Sequence, residues 1–324
     1  MIHTDIHLHF CAAPRLDELL TYCGTGGIGR AGLVSLPDRK AGNFNKAVIN
    51  AVKHNPARFI GFGCLDHRQQ RSETGGAAQV KELFSEGFTG LKLWLGKPRT
   101  QVDFQVRMED SYITGALKKC EELGLPVLLH LADPPPFWEP GGPYGSKSTA
   151  DRTDGINHFG TFNDWIDRGR ELFTKFPDVA FLGAHLLFLA GGMEKINEVM
   201  ACHPNLLLDT APGRWFYRIL INHKSQAETF FEKYGTRILL GSDAMFFPEE
   251  FTLFPKMGVD ENLESFNRIK SFLSGSTRKG EGEVNDPFPW PDYSVEMKIP
   301  CLNLTEKTRE LIMIKNADIF FKGV

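Results

Sequence analysis

From Ile2 to His9 apolar and polar residues alternate, so a strand there carries Ile2, Ile6 and Leu8 on one face and His3, Asp5, His7 and His9 on the other. An ordinary core strand turns its apolar face inward. Here the apolar face suits burial under helices while the imidazoles point in, as in the wall of a parallel barrel whose interior ends in a site. Short apolar runs then predict strands over 32–36, 59–65, 89–94, 127–131, 179–185, 206–209 and 237–243. Helical spacing fills the gaps between them: Arg15 to Cys23, then Phe44, Val48, Ala51 and Val52, then Val80, Leu83 and Phe84. The clearest stripe is Ile113, Ala116, Leu117, Cys120 and Leu123, and further stripes run over Trp165 to Phe173, 193–200 and Ala227 to Tyr234. Asn55-Pro56, Gly87, Gly124 before Pro126, and His203-Pro204 supply the stops.

Eight strands, each followed by a helical pattern, is the count of a (β/α)8 TIM barrel, distorted and built as a single domain over residues 1–324. An open doubly wound sheet needs fewer strands and usually a glycine-rich first turn, which Phe10-Cys11-Ala12-Ala13-Pro14 lacks. Three connections are long. Residues 98–110 follow the fourth strand and 132–160 the fifth, and loops after strands line the catalytic face, so both are candidate lids. Residues 275–303 form a late insertion, a tail wrapping the barrel, before a last helix whose start, Asn303-Leu304-Thr305-Glu306, has capping-box spacing.

With 324 residues, 42% hydrophobic and 24% charged, the chain can bury a large core. A net charge of -3, with Lys and Arg dispersed, argues against nucleic acid as a partner; the partner expected is a small-molecule substrate. Cysteines 11, 23, 64, 120, 202 and 301 show no C-x-x-C pair and read as reduced, mostly buried thiols. No charged-then-apolar leader is visible and the most apolar run, 179–192, is too short for a bilayer. A cytoplasmic protein without membrane association, with a homodimer as the one assembly considered, is the expectation.

Polar residues gather at the strand ends: His7 and His9, Lys92, His130, His185 and Asp243. Side chains i and i+2 on a strand are parallel neighbours, so His7 and His9 can reach one metal ion. Lys92 faces away from Leu91 and Leu93, and Asp243 shares a face with Gly241 and Leu239. A single histidine after an apolar run is commonly a core residue. Several polar residues in register point to a site.

The motifs D-x-H-x-H at Asp5 to His9, GLKLW at 90–94, PVLLH at 126–130, FLGAH at 181–185 and ILLGSD at 238–243, with Lys315-Asn316-Ala317 near the end, resemble the amidohydrolase superfamily of metal-dependent barrels. The resemblance is to its amidohydrolase-2 branch, which includes aminocarboxymuconate-semialdehyde decarboxylase, resorcylate-type decarboxylases and lactone hydrolases. It implies His7, His9, His130 and Asp243 as metal ligands and His185 as a catalytic residue close to the metal. Three nitrogens and one carboxylate leave a position for water, as catalytic zinc requires, although the set also admits manganese or iron. Asp243 would also take the water's proton, and His185 would polarise the substrate or protonate a leaving group.

Lys92 departs from the decarboxylases. It either binds a substrate carboxylate or phosphate or, carboxylated, bridges a second metal. Trp94, Phe137 and Trp138 are candidates for an aromatic wall, with His158 and Arg39 as further substrate-binding candidates. The reaction expected is metal-dependent hydrolysis of a small carboxylated or cyclic ester or amide. The alternative is non-oxidative decarboxylation of an aromatic or unsaturated acid, and a catalytically silent binding barrel is a third reading.

Overall fold

A computed structural model describes residues 2–138, 160–213, 216–251, 256–275, 283–285 and 298–321. Nine strands form its main sheet: β1 (His3–Phe10), β2 (Ile28–Val34), β3 (Phe59–Cys64), β4 (Gly90–Trp94), β5 (Val127–His130), β6 (Phe181–Gly183), β7 (Leu206–Asp209), β8 (Ile238–Leu239) and β9 (Ala244–Phe246). Their hydrogen-bonded order is β8-β7-β6-β5-β4-β3-β2-β1-β9. The two ends of that order are successive pieces of one chain segment, the eighth strand, broken at 240–243. This is the parallel order of a distorted (β/α)8 barrel, with helices α1 (Leu16–Thr25), α2 (Asn45–His54), α3 (Glu73–Glu86), α4 (Ser111–Leu123), α5 (Phe162–Lys175), α6 (Met193–Cys202), α7 (Lys224–Tyr234) and α8 (Val259–Ser274) in the crossovers.

Two compact units make up the chain. The first comprises Met1–Val34, Asn50–Ile60 and Leu208–Val324. In it β1 is flanked by β2 on one side and by β9 and the 240–243 segment on the other, since Ile6 N–H donates to the Leu240 carbonyl and Cys11 N–H to that of Phe246, both at 2.9 Å. The second unit comprises Ser35–Ile49 and Gly61–Leu207. There β4, β5 and β6 pair in parallel, fully buried on both faces as strands beneath crossover helices must be. Gly87 and Gly124 end α3 and α4 in the left-handed conformation, the stops that the sequence marks.

Several expectations shift. The second strand starts at Ile28, not 32: Ile28 is buried, but the half-buried Gly29 and Arg30 that follow it break any apolar run. The connection at 98–110 contains a helix, Pro98–Phe104, tied down by the buried Gln101 amide, which donates to the carbonyls of Leu95 (2.6 Å) and Val106 (2.8 Å). The late insertion includes an antiparallel ribbon, Glu283–Asn285 with Lys298–Pro300. The final cap is Thr305, not Asn303: Thr305 N–H and hydroxyl bond to Glu232, and Thr305 Oγ1 accepts from Thr308 N–H. Of the lid candidate 132–160, Pro135–Trp138 forms a 3-10 turn, while 139–159 lie outside the described residues.

Five of the six cysteines are buried, Cys202 is exposed, and no disulfide occurs among the described residues. No helix there is long and apolar enough to cross a membrane.

Candidate metal centre

In the first unit, β1 delivers His7 and His9, and the break in the eighth strand delivers Asp243. Their ligand atoms all lie within 4.8 Å of one another. His9 Nε2 is 3.2 Å and His7 Nε2 3.9 Å from Asp243 Oδ1. His7 Nδ1 is 2.8 Å from Asp209 Oδ2 at the end of β7, both side chains fully buried. A carboxylate only accepts, so His7 carries its proton on Nδ1 and presents the Nε2 lone pair on the side of Asp243. The second Asp209 oxygen accepts from Ala211 N–H at 3.0 Å, which fixes the carboxylate in turn.

The expected regular strand over 237–243 gives way to a break whose four N–H groups are all bonded. Leu240 N–H bonds to Ile312 O, Gly241 N–H to Thr210 Oγ1, Ser242 N–H to Asp5 Oδ1 and Asp243 N–H to His7 O. Asp243 has φ of 55°, a left-handed conformation that Asp tolerates better than most residues and that aims its carboxylate away from strand alternation. A side chain at Gly241 would put Cβ 3.0 Å from His7 Cβ, so glycine lets the segment lie against the metal-binding strand.

His3 and Asp5 do not share the face of His7 and His9. Between Asp5 and Leu8 the register slips with the extra residue on β1, and such a bulge exchanges the faces on its two sides, whereas the slip between His3 and Thr4 puts its extra residue on β2 and leaves His3 and Asp5 together. Asp5 instead accepts from Ser242 Oγ at 2.6 Å and from the Tyr22 hydroxyl of α1 at 2.9 Å. Burial raises its carboxyl to about 6, against the pull of those hydrogen bonds. His3 packs edge-on to Phe266 of α8, and burial with Lys270 nearby lowers its pKa to about 4. Both brace β1 and neither belongs to the metal-binding group.

In the second unit, His130 ends β5 with both ring nitrogens engaged: Nε2 lies 2.9 Å from Asp133 Oδ1, and Nδ1 lies 3.1 Å from His185 Nε2. Burial lowers the His130 pKa and keeps the ring neutral; burial works to raise that of Asp133, but the Lys97 ammonium 3.1 Å away and His130 more than offset it. His185 opens a left-handed turn in which His185 to Ala190 all have φ between 47° and 57°. The turn stacks Phe188 on the His185 imidazole, centroids 5.2 Å apart. No residue in His185-Leu186-Leu187-Phe188-Leu189-Ala190 announces this backbone, which disfavours L side chains by roughly 1–2 kcal/mol each.

The other sequence candidates divide. Lys92 is almost wholly buried in β4, its Cα paired with Cys64 and Leu128, and Trp94 at the strand end lies under the Lys97 ammonium. Trp138 packs on Trp165 and donates its indole N–H to Asp133 O at 2.9 Å. Arg39, largely exposed at a hairpin tip, donates to Asp103 at 3.4 Å. The Phe137 side chain and His158 lie outside the described residues. Sequence reading missed Asp209, Asp133 and Lys97. Asp209 ends an apolar run as His130 does, a signal that was present, whereas Asp133 and Lys97 sit in loops where periodicity says nothing.

Three of the four expected ligands thus form one group, and the set suits a divalent cation: two imidazoles and a carboxylate, with one imidazole oriented by a buried carboxylate. A family model described as Amidohydrolase matches residues 19–322. Among solved structures, an uncharacterized TIM-barrel protein from Bordetella bronchiseptica matches with TM-score 0.59 at 15% identity, covering 99% of this chain and 98% of that one. A probable 2-pyrone-4,6-dicarboxylic acid hydrolase from Acinetobacter baumannii matches with TM-score 0.55 at 14% identity, covering 99% and 100%. A dihydroxybenzoic acid decarboxylase from Polaromonas sp. JS666, with bound manganese and 2-nitroresorcinol, gives TM-score 0.55 at 15% identity, covering 99% and 97%. At these identities the likeness is one of fold. A search of curated sequences found no match.

Proposed function

The chain belongs to the amidohydrolase family, and from that membership we propose that it is a divalent-metal-dependent hydrolase of a small carboxylated or cyclic ester or amide. The observation that carries the reading is the His7, His9 and Asp243 group with His7 oriented by Asp209. His7, His9 and Asp243 would hold a divalent ion, zinc by donor type, which would supply Lewis acidity for activating water and polarising a carbonyl. Asp243 accepts the proton of the attacking water. Motif resemblance adds His130 as a fourth ligand, His185 as the proton donor to the leaving group, and Lys92 as the cation for a substrate carboxylate.

A second reading, non-oxidative decarboxylation, is favoured by the fold shared with the manganese-containing dihydroxybenzoic acid decarboxylase. In that reaction a proton from the enzyme replaces carbon dioxide on the substrate carbon. The test is to offer lactones, amides and aromatic acids to metal-replete protein while following both hydrolysis products and carbon dioxide. Hydrolysis without carbon dioxide is expected, carbon dioxide from an aromatic acid selects the second reading, and turnover that survives complete metal removal contradicts both. His130→Ala should lose metal and activity together, whereas His185→Ala should keep metal and lose activity. Loss of metal in both variants contradicts this division of roles.

A further inference from the structure

Beyond the three-residue group, the ends of β4 and β5 are joined by a run of bonds that no catalytic reading has yet used. Gly96 N–H donates to His130 O (3.2 Å), Asp133 N–H donates back to Gly96 O (2.8 Å), and Lys97 Nζ lies 3.1 Å from Asp133 Oδ1. The Trp138 indole holds the Asp133 carbonyl from the other side. Backbone, side chain and ion pair together leave the Asp133 carboxylate one position, and in it Oδ1 meets His130 Nε2 at 2.9 Å. Both side chains are buried, so water does not compete for the bond.

We propose that Asp133, anchored by Lys97, is a positioning residue that locks His130 in the Nε2–H tautomer and so reserves its Nδ1 lone pair for a Lewis acid or a proton donor. A neutral imidazole carries one N–H; with that proton committed to a carboxylate that can only accept, Nδ1 must be the lone-pair nitrogen. The donor that faces it here is His185 Nε2, 3.1 Å away. The same arrangement recurs in the first unit in mirror form, where Asp209 takes the Nδ1 proton of His7 and leaves Nε2 as the lone pair. Only the consequence for metal affinity rests on the proposed function. The tautomer does not.

The experiment uses the full chain with 15N-labelled histidine, stripped of metal, and reads long-range 15N–1H correlations of the ring, with His130 assigned through His130→Gln. Wild type should show His130 protonated at Nε2, and Asp133→Asn should move the population toward Nδ1–H, because the neutral amide no longer presents the charged oxygen that Lys97 holds against Nε2. In parallel, a titration with Zn2+ alone should show affinity reduced about 10- to 100-fold in Asp133→Asn. Nδ1 protonation in wild type overturns the assignment even if the variant fails to fold, and an unchanged tautomer in a folded variant overturns it too. A tautomer shift in a protein that binds no Zn2+ supports the assignment and overturns the metal reading of the proposed function.

Discussion

Asp209 is the residue on which the orientation of His7 turns, since it takes the Nδ1 proton and leaves Nε2 as the ligand atom. Asp209→Ala should weaken Zn2+ binding about 10- to 100-fold. It should also lower the stability of the metal-free protein by about 1–3 kcal/mol, because a buried imidazole N–H loses that acceptor. Zinc titration and thermal unfolding of the stripped protein read the two effects, and unchanged affinity means that something else orients His7. At this scale the sequence marked the three residues that lie together, His7 and His9 alternating with apolar neighbours on one strand and Asp243 closing the apolar segment Ile238-Leu239-Leu240-Gly241-Ser242. Period-two alternation misplaced His3 and Asp5, since a bulge exchanges faces without changing the order of residue types.

Among the elements, strands such as 59–65 and 206–209 were readable to within a residue or two because apolar runs there are bounded by Pro, Gly or Asn. The two irregular segments that carry chemistry were not readable. The eighth strand breaks at 240–243 because its N–H groups find partners on Asp5, His7, Thr210 and Ile312, all distant in sequence. The left-handed turn after His185 is held by tertiary burial against local preference. Gly241→Ala tests the first of these. Its Cβ would sit 3.0 Å from His7 Cβ and 3.3 Å from Ala211 Cβ, so overpacking should cost about 1–3 kcal/mol and displace the metal-binding strand. Denaturant unfolding with metal analysis checks this, and a variant of wild-type stability and metal content contradicts the close packing.

For the whole molecule, fold class followed from counting strand and helix patterns, whereas the reaction did not, because one barrel with one ligand pattern hosts hydrolases and decarboxylases alike. Global stability also carries a pH signature. Burial lowers the pKa of His67 from 6.5 to about 4, its ring enclosed by Phe104 and Tyr112. Between those values the unfolded chain takes up a proton that the native ring refuses, so stability should fall as pH drops from about 6.5 to about 4, by roughly 3 kcal/mol at most from this group. Asp5, raised to about 6, acts in the opposite sense from about 6 down to 3.8. His67→Leu should flatten the acid limb of stability against pH in metal-free protein, and an unchanged slope contradicts a buried neutral His67. The central claim, that His7, His9 and Asp243 form the heart of a metal centre, is tested most directly by elemental analysis of protein purified without chelator and reconstituted with Zn2+ or Mn2+, wild type beside Asp243→Asn, a variant that keeps the left-handed backbone. About one divalent ion per chain is expected in wild type, with loss in the variant; a wild-type protein that retains no transition metal after reconstitution contradicts the account.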